Sequence, residues 1–266
     1  MKELILIKLG GSVITDKNKA LTPRMGVIKR LGKEIVEVQK NSRVKILLGH
    51  GQGSYAHIPA AKYQTQLGNI HKDSLKGFSI TADMATWPNR ILIKEFIKMG
   101  IPAVSFSPLS FIYSSNQTAK TILMQNLKRA LEIGLVPVIY GDVIMDEKMG
   151  FCIFSGEKTL DLLAQKLNED YKIKKIIMVG ITDGVFDEKG KTIPEISQKN
   201  YSDVKKSIKG SASVDVTGGM LHKVEEALTL AKKYGIETEI INGNIKGNLK
   251  KAILGKKVLG TKIKSD

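Results

Sequence analysis

Residues 4–12 read LILIKLGGS, an apolar run broken only by Lys8 and closed by two glycines. A run that is apolar at nearly every position is typical of a parallel strand buried on both faces of a sheet. Five later runs are similar, and longer stretches of helical period lie between them. The strands are predicted at 4–9, 44–48, 103–106, 136–140, 175–179 and 238–241, and the helices at 24–40, 71–99, 117–133, 157–169 and 219–234. This alternation predicts an α/β fold in which helices cover both sides of a mostly parallel sheet.

Two local features add to this plan. The letters DEKMG at 146–150 lie between two short apolar runs, which predicts a hairpin over 142–154. Pro88 falls inside the predicted helix 71–99 and is expected to kink or restart it, because proline lacks the backbone donor that a helix interior uses.

The composition is that of an ordinary globular protein. Of the 266 residues, 42% are hydrophobic and 26% are charged, which leaves enough apolar material for a sizeable core. The apolar runs are far too short to cross a bilayer, and no cleavable leader pattern follows the first run. Cys152 is the only cysteine, so an internal disulfide and multi-cysteine metal sites are excluded. We therefore expect a soluble, cytoplasmic protein without membrane partners.

The net charge of +16 is the unusual quantity. Nucleic-acid binding would use such a charge to neutralise phosphates. The basic residues are scattered, however, and aromatic residues make up only 6% of the chain, so a solvated lysine-rich surface is the favoured interpretation. A positive field would still attract a phosphorylated small substrate.

Ligands bind at the carboxyl ends of the strands in such sheets, and the first two glycine-rich loops lie there. Gly10-Gly11-Ser12 follows the first strand, and Lys8 precedes it among apolar residues, where an unpaired ammonium group would be costly. GHGQGSYAH at 49–57 follows the second strand, and its His57 is expected one turn into a helix, near a bound phosphate. Each loop could equally be an ordinary turn, and a lone histidine is more often structural.

Two further signals belong to the same sheet edge. DVTGGM at 215–220 precedes a helix that carries Lys223, although an ordinary capped helix would look alike. Asp142, after Gly141, could orient lysines, hold a metal ion or merely begin the hairpin. Three phosphate-friendly loops, several lysines, a histidine and a carboxylate together favour phosphoryl transfer, where positioning and charge neutralisation supply most of the catalysis.

These residues resemble the amino-acid kinase superfamily, and within it the isopentenyl phosphate kinases, which are related to fosfomycin resistance kinases. The resemblance runs over nearly the whole chain, through KLGGSVITDK, GHGQGSYAH, GD, SG, DVTGGM and NGN at 8–17, 49–57, 141–142, 155–156, 215–220 and 242–244. It implies a three-layer αβα sandwich and direct in-line transfer from ATP–Mg²⁺ to isopentenyl phosphate, in isoprenoid biosynthesis. It also implies a homodimer. A boundary near residue 170 would separate an acceptor-binding and dimerisation lobe, 1–170, from a nucleotide-binding lobe, 171–266, on one continuous sheet.

The resemblance also implies roles for individual residues. Lys8 would neutralise the transferring phosphoryl group, Lys17 and Lys223 would contact the nucleotide, His57 would bond the acceptor phosphate, and Asp142 would organise the lysines. The residues implied at ATP are Lys8, Gly10, Gly11, Ser12, Gly53, Asp183, Gly218, Gly219 and Lys223. No protein side chain is assigned to a metal. A phosphate monoester is largely dianionic at neutral pH, so such an acceptor needs anion donors rather than a general base.

The acceptor site is predicted from Gly51, Gln52 and His57, with Phe78 and Trp87 as candidate walls of an apolar pocket. Three positions depart from the family pattern: Gln52 replaces a glycine, Lys158 replaces the second of two acidic residues, and Ile181 replaces an aspartate. Because of the Lys158 departure, more of the work of holding the lysines is expected to fall on Asp142. The alternatives are a fosfomycin or other small phosphate or phosphonate kinase, and a non-catalytic regulator or nucleic-acid binder.

Overall fold

The computed structural model describes residues 1–16, 18–210 and 217–266. Lys17 and residues 211–216, which include the start of the predicted DVTGGM loop, lie outside this part. The helices within it are α1 Gly11–Ile14, α2 Met25–Gln39, α3 His57–Lys62, α4 Ser74–Lys98, α5 Gln125–Ile133, α6 Gly156–Leu167, α7 Tyr201–Gly210, α8 Thr217–Tyr234 and α9 Asn248–Ile253. The strands are β1 Lys2–Leu9, β2 Lys45–His50, β3 Ala103–Phe106, β4 Ile112–Ser115, β5 Thr118–Ile122, β6 Val136–Tyr140, β7 Asp142–Asp146, β8 Gly150–Phe154, β9 Tyr171–Gly180, β10 Glu195–Ile196, β11 Thr238–Asn242 and β12 Gly260–Ile263.

A single eight-stranded sheet runs through the molecule in the order β10-β12-β11-β9-β1-β2-β6-β3. Its pairs are parallel except β11 with β12. The predicted α/β class with a mostly parallel sheet is confirmed. Because β9 pairs with β1, the sheet continues across residue 170; the division into two lobes there stays a prediction.

The burial of strand β1 shows why the sheet has a layer of helices on each face. Successive side chains of a strand point to opposite faces, and every residue from Leu4 to Leu9 is buried. Leu4 and Leu6 belong to a core cluster with the apolar face of α6, whereas Ile5 and Ile7 belong to another with α2. A continuous apolar run is therefore what a strand needs when helices cover both faces of its sheet.

The predicted hairpin over 142–154 is confirmed, since β7 and β8 pair antiparallel. They join β4 and β5 in a separate four-stranded sheet. The helix predicted at 117–133 is wrong in its first part, which forms β5. Asn116 and Gln117 have φ values of 48° and 62°, as in a two-residue hairpin turn, and the β-branched Thr118, Thr121 and Ile122 suit a strand.

Helix α4 is assigned without a break from Ser74 to Lys98, so the predicted restart at Pro88 is wrong. Ala85, Asn89 and Leu92 are buried on either side of the proline, and this packing offsets the loss of one helical hydrogen bond. In the described ranges, no helix has the length and apolar character needed to span a membrane.

Candidate active site

The first two glycine loops touch each other through their backbones. Gly10 and Gly11 follow β1, while Gly51 and Gly53 follow β2, and these strands are parallel neighbours. A Cβ on Gly51 would lie 2.8 Å from the backbone nitrogen of Gly11, and one on Gly11 would collide with the backbone of Gly53. Gly53 also has φ of +56°, which favours glycine. Two phosphate-type loops can meet here only because neither carries side chains at the contact.

A second close approach lies at the end of β6. A Cβ on Gly156 would be 2.8 Å from the carbonyl oxygen of His50 and 3.2 Å from the nitrogen of Gly141. Helix α6 begins at Gly156, and the hydroxyl of Ser155 caps it by accepting from the nitrogen of Lys158 at 3.1 Å. The positive end of the helix dipole therefore lies beside the glycine loops, where it favours an anion.

Lys8 and Lys223 meet on one carboxylate, that of Glu157. The Lys8 ammonium donates to Oε1 of Glu157, and Lys223 Nζ lies 3.6 Å from the same oxygen. Burial lowers the pKa of Lys8, although Glu157 acts to raise it. Burial acts to raise the pKa of Glu157, but the charges of Lys8 and Lys223 outweigh it and hold that pKa below its ordinary value. Glu157 thus brings the side chains of Lys8 and Lys223 together at one point of the sheet edge.

Asp142 has other partners. Its Oδ2 accepts from the hydroxyl of Ser107 at 2.7 Å, and the hydroxyl of Tyr140 is a further neighbour. Burial raises the pKa of Asp142 to about 6. The carboxylate between Lys8 and Lys223 is therefore Glu157, and the organising role assigned to Asp142 needs correction for these two lysines. The signal was present in the sequence, since Glu157 follows the SG pair in the first turn of α6.

Lys158, one of the three departures from the family pattern, has partners away from Lys8 and Lys223. Its ammonium donates to the carbonyl of Gln117 and lies 4.7 Å from the ring centre of Phe154. Consecutive helix residues lie about 100° apart around the axis, so Lys158 leaves α6 in a different direction from Glu157. The extra lysine therefore does not face the two that Glu157 holds.

The residues of the second loop face a cavity of about 790 Å³, a size typical of ligand sites. His57 is exposed and lines it, as the first residue of α3 rather than one turn into a helix as predicted. The Gln52 amide nitrogen donates to the carbonyl of Gly141. Gln52 Oε1 and Ser54 Oγ are buried without a hydrogen-bond partner among the described residues, as fits a site that receives a polar ligand.

The far side of the cavity is formed by the ends of β9 and α8. It is lined there by Gly180, Ile181, Thr182, Gly184, Phe186, Gly219, Met220 and Lys223. Asp183 lies between two of these, and its carboxylate accepts from the Asn242 amide at 2.9 Å. Gly218 belongs to the first turn of α8. The role predicted for Lys17 concerns a residue outside the described part.

The near side ends in side chains that are mostly small or apolar. They come from α3, α4 and the hairpin strand β8, and they are Ala56, Ala60, Thr81, Ala85 and Ile153. Phe78 and Trp87 do not line the cavity, so that prediction is corrected. Phe78 packs on Phe151 with ring centres 5.0 Å apart, and Trp87 is 55% exposed. Residues four apart share a helix face, as Thr81 and Ala85 do, whereas Trp87 lies about 200° around α4 from Ala85.

Comparisons with known proteins show the family of this chain. The model of the amino acid kinase family matches residues 3–242. The isopentenyl phosphate kinase of Methanothermobacter thermautotrophicus is 32% identical over 271 residues, covering 98% of each chain. That of Methanocaldococcus jannaschii is 34% identical over 269 residues, also 98% of each. An X-ray structure of an isopentenyl phosphate kinase superposes with a TM-score of 0.79 at 29% identity, covering 98% of this chain and 99% of the other. The chain therefore belongs to the amino acid kinase family, among the isopentenyl phosphate kinases.

Proposed function

We propose that this protein transfers the γ-phosphoryl group of ATP to isopentenyl phosphate and forms isopentenyl diphosphate. One observation carries the proposal: a single cavity joins phosphate-type glycine loops and two lysines to a small apolar end. An acceptor with an anionic head and a hydrocarbon tail fits both parts. The relatives that match over nearly the whole chain are isopentenyl phosphate kinases, which supports the same acceptor.

The chemistry requires that two anions be held together against their repulsion. The acceptor oxygen attacks the γ-phosphorus, the bond to the β-phosphate bridging oxygen breaks, and ADP leaves. Lys8 and Lys223 would neutralise charge on the transferring group, and the backbone donors of the two glycine loops would bind the phosphates. Since a phosphate monoester is already largely dianionic, no proton needs to be removed by a general base.

His57 would bond the acceptor phosphate. It lines the cavity next to Ala56 and Ala60, at the start of α3. An imidazole there reaches the junction between the glycine loop and the apolar end, which is where the head of a prenyl phosphate would lie. Gln52, whose amide nitrogen is committed to Gly141, would shape this junction.

Mg²⁺ would enter with the nucleotide. In the described ranges, no group of three or more His, Cys, Asp or Glu side chains could hold a metal ion, whereas Mg²⁺ is commonly bound through substrate phosphates and water. It would neutralise charge on the nucleotide phosphates. A homodimer and a cytoplasmic location remain predictions; light scattering after gel filtration tests the first.

The test is ADP release with ATP–Mg²⁺ and three acceptors: isopentenyl phosphate, dimethylallyl phosphate and fosfomycin. Turnover confined to the prenyl phosphates is expected, because the apolar end does not suit a small polar acceptor. In His57→Ala, kcat/KM for the acceptor should fall about 100-fold with ATP binding kept. Turnover of fosfomycin alone would refute isopentenyl phosphate as the acceptor. An unchanged kcat/KM in His57→Ala would refute the role of His57.

A further inference from the structure

His50 ends strand β2 and immediately precedes the glycine loop, yet nothing in the transfer chemistry above uses it. Its side chain is fully buried, with 0% exposed. It lies behind the cavity wall, and its ring stacks on that of Tyr140 with centres 5.6 Å apart and planes 18° apart. Both nitrogens of a buried imidazole need hydrogen-bond partners, and those partners show which parts of the structure the side chain connects.

Both nitrogens of His50 have a partner. Nδ1 lies 3.1 Å from the carbonyl oxygen of Gly51, and Nε2 lies 3.2 Å from the amide nitrogen of Asn89. A carbonyl oxygen only accepts and an amide NH₂ only donates. The geometry is therefore satisfied by one tautomer, in which Nδ1–H donates to Gly51 and the bare Nε2 accepts from Asn89. Burial lowers the pKa of His50 to about 4, which keeps the ring neutral as this tautomer requires.

The two partners belong to different parts of the cavity wall. Gly51 lies in the glycine loop, where its nitrogen donates to the carbonyl of Leu9 at 2.9 Å. Asn89 is one turn beyond Ala85 on the buried face of α4, and Ala85 lines the apolar end of the cavity. The stacked Tyr140 leads directly into Gly141 and Asp142, which line it as well.

We infer that His50 is a positioning residue, and that with Asn89 it holds the glycine loop at a fixed distance from the helix that lines the acceptor tail site. His50 touches no substrate. It sets the spacing between the donors that bind the acceptor phosphate and the wall that contacts its hydrocarbon part. This inference rests on the proposed function for its kinetic readout, but not for the hydrogen-bond geometry.

The kinetic test uses single and double variants. Asn89→Leu removes the donor with little change in volume, and His50→Phe keeps the ring while removing both hydrogen bonds. Each should raise KM for isopentenyl phosphate about tenfold, the size of one lost buried hydrogen bond. KM for ATP should change less than KM for the acceptor, and least in Asn89→Leu, because α4 does not reach the nucleotide side. His50→Gln, which can still accept from Asn89, should recover part of the loss.

The double variant separates positioning from stability. Replacing both His50 and Asn89 by apolar groups removes both atoms of the hydrogen bond between them and leaves only the Gly51 carbonyl unpaired, so the melting temperature should partly recover relative to the single variants. KM for the acceptor should stay raised, because no hydrogen bonds through residue 50 connect the glycine loop to α4. A KM that returns to the wild-type value together with the melting temperature would overturn the inference, as would single variants with wild-type KM.

Ser114→Ala serves as the matched control. Ser114 is also fully buried and donates to Asp146 Oδ2 at 2.7 Å, but it lies in the smaller sheet. This variant should lose stability and keep the wild-type KM for the acceptor. A comparable rise in KM there would mean that destabilisation alone causes the effect, and would overturn the inference.

A readout independent of turnover is the ¹⁵N NMR spectrum of the His50 imidazole. A protonated Nδ1 and a bare Nε2 are expected at pH 7, with a shift of the Nε2 resonance in Asn89→Leu. The opposite tautomer, or no shift in the variant, would overturn the hydrogen-bond arrangement. Absence of turnover in the wild type would instead refute the proposed function and leave this result standing.

Discussion

The two sides of the cavity are built differently. Where the glycine loops meet beside the acceptor site, glycines are required by the fold itself: Gly11, Gly51 and Gly156 each have backbone atoms where a Cβ would lie. On the nucleotide side, Gly219 has open space around its missing Cβ, and Gly180 has only ordinary contacts. The acceptor side is a rigid junction of three strand ends. Of the three glycines that line the nucleotide side, Gly184 alone has backbone close to its missing Cβ (the Thr261 nitrogen at 2.8 Å), and the start of α8, which brings a lysine, is open.

This difference indicates two separate reasons why a position in the cavity wall carries glycine. Where backbone meets backbone, the residue is needed before any ligand binds, and a substitution should damage the fold and the activity together. Where space is open, a substitution should leave the fold intact, and any damage should appear only in nucleotide binding. Variants on each side test this comparison, and the largest effect concerns the charge that joins the two sides.

The largest effect is expected for Lys8→Met. Lys8 is buried between the two sides and is bound to Glu157, so its loss removes a cation that faces the transferring group. We expect kcat to fall about 1000-fold, measured by coupled ADP release. Lys158→Met, the matched control at a lysine bound to Gln117 instead, should keep nearly the wild-type kcat; equal losses in both variants would contradict the assignment.

Gly11→Ala and Gly219→Ala test the two sides directly. The first forces a Cβ against the backbone of Gly53 and should cost about 3 kcal/mol of unfolding free energy, as overpacking does. The second places alanine in a helix with open space and should raise stability by about 0.5–1 kcal/mol, while KM for ATP increases. Urea unfolding gives both values. Equal stability of the two variants would remove the distinction between the sides.

The pH dependence of stability should reveal the neutral His50. Its folded pKa of about 4 lies below the ordinary value near 6.5, so the unfolded chain binds the extra proton first. The stabilising contribution of His50 is therefore complete above pH 6.5 and lost as the pH falls to about 4, by up to about 3 kcal/mol. Asp142, with a raised pKa, makes the unfolding free energy depend on pH in the opposite direction. The quantity to measure is therefore the difference in unfolding free energy between the wild type and His50→Phe. The destabilisation caused by His50→Phe should be greatest above pH 6.5 and shrink towards pH 4. If the destabilisation caused by His50→Phe is independent of pH, the folded protein does not lower the pKa of His50.

The smallest effect concerns the apolar end. Ala85→Leu should raise KM for isopentenyl phosphate about tenfold by filling the tail site, with KM for ATP unchanged. Trp87→Ala, on the exposed side of the same helix, should leave both values unchanged. If Trp87→Ala has the larger effect, the acceptor lies elsewhere on α4.

The fold could be predicted from local patterns, because buried parallel strands are apolar throughout. The same reasoning missed β5: its residues have a mixed pattern, and only the turn at Asn116 and Gln117 makes it a strand. Lys8 was predictable because a lysine within a buried strand needs a partner. The identity of that partner was not, since Glu157 lies 149 positions away and its meeting with Lys8 depends on how α6 packs on β1.

The residues that line the apolar end of the cavity could not be predicted from local sequence patterns either. Phe78 and Trp87 are large and apolar, and sequence reasoning favours such residues for a pocket. The cavity is instead bounded by Ala60, Thr81 and Ala85, because space for a ligand is left where side chains are small. Which small residues border a void depends on the packing of α3 against α4, which no short pattern encodes.

The central claim is phosphoryl transfer from ATP to a prenyl phosphate, and ³¹P NMR of the reaction mixture tests it most directly. With ATP–Mg²⁺ and isopentenyl phosphate, we predict that the acceptor's single resonance is replaced by the two coupled resonances of a diphosphate, with one ADP formed per acceptor consumed. ADP accompanied by inorganic phosphate, or an acceptor resonance that persists while ATP remains, would contradict the account.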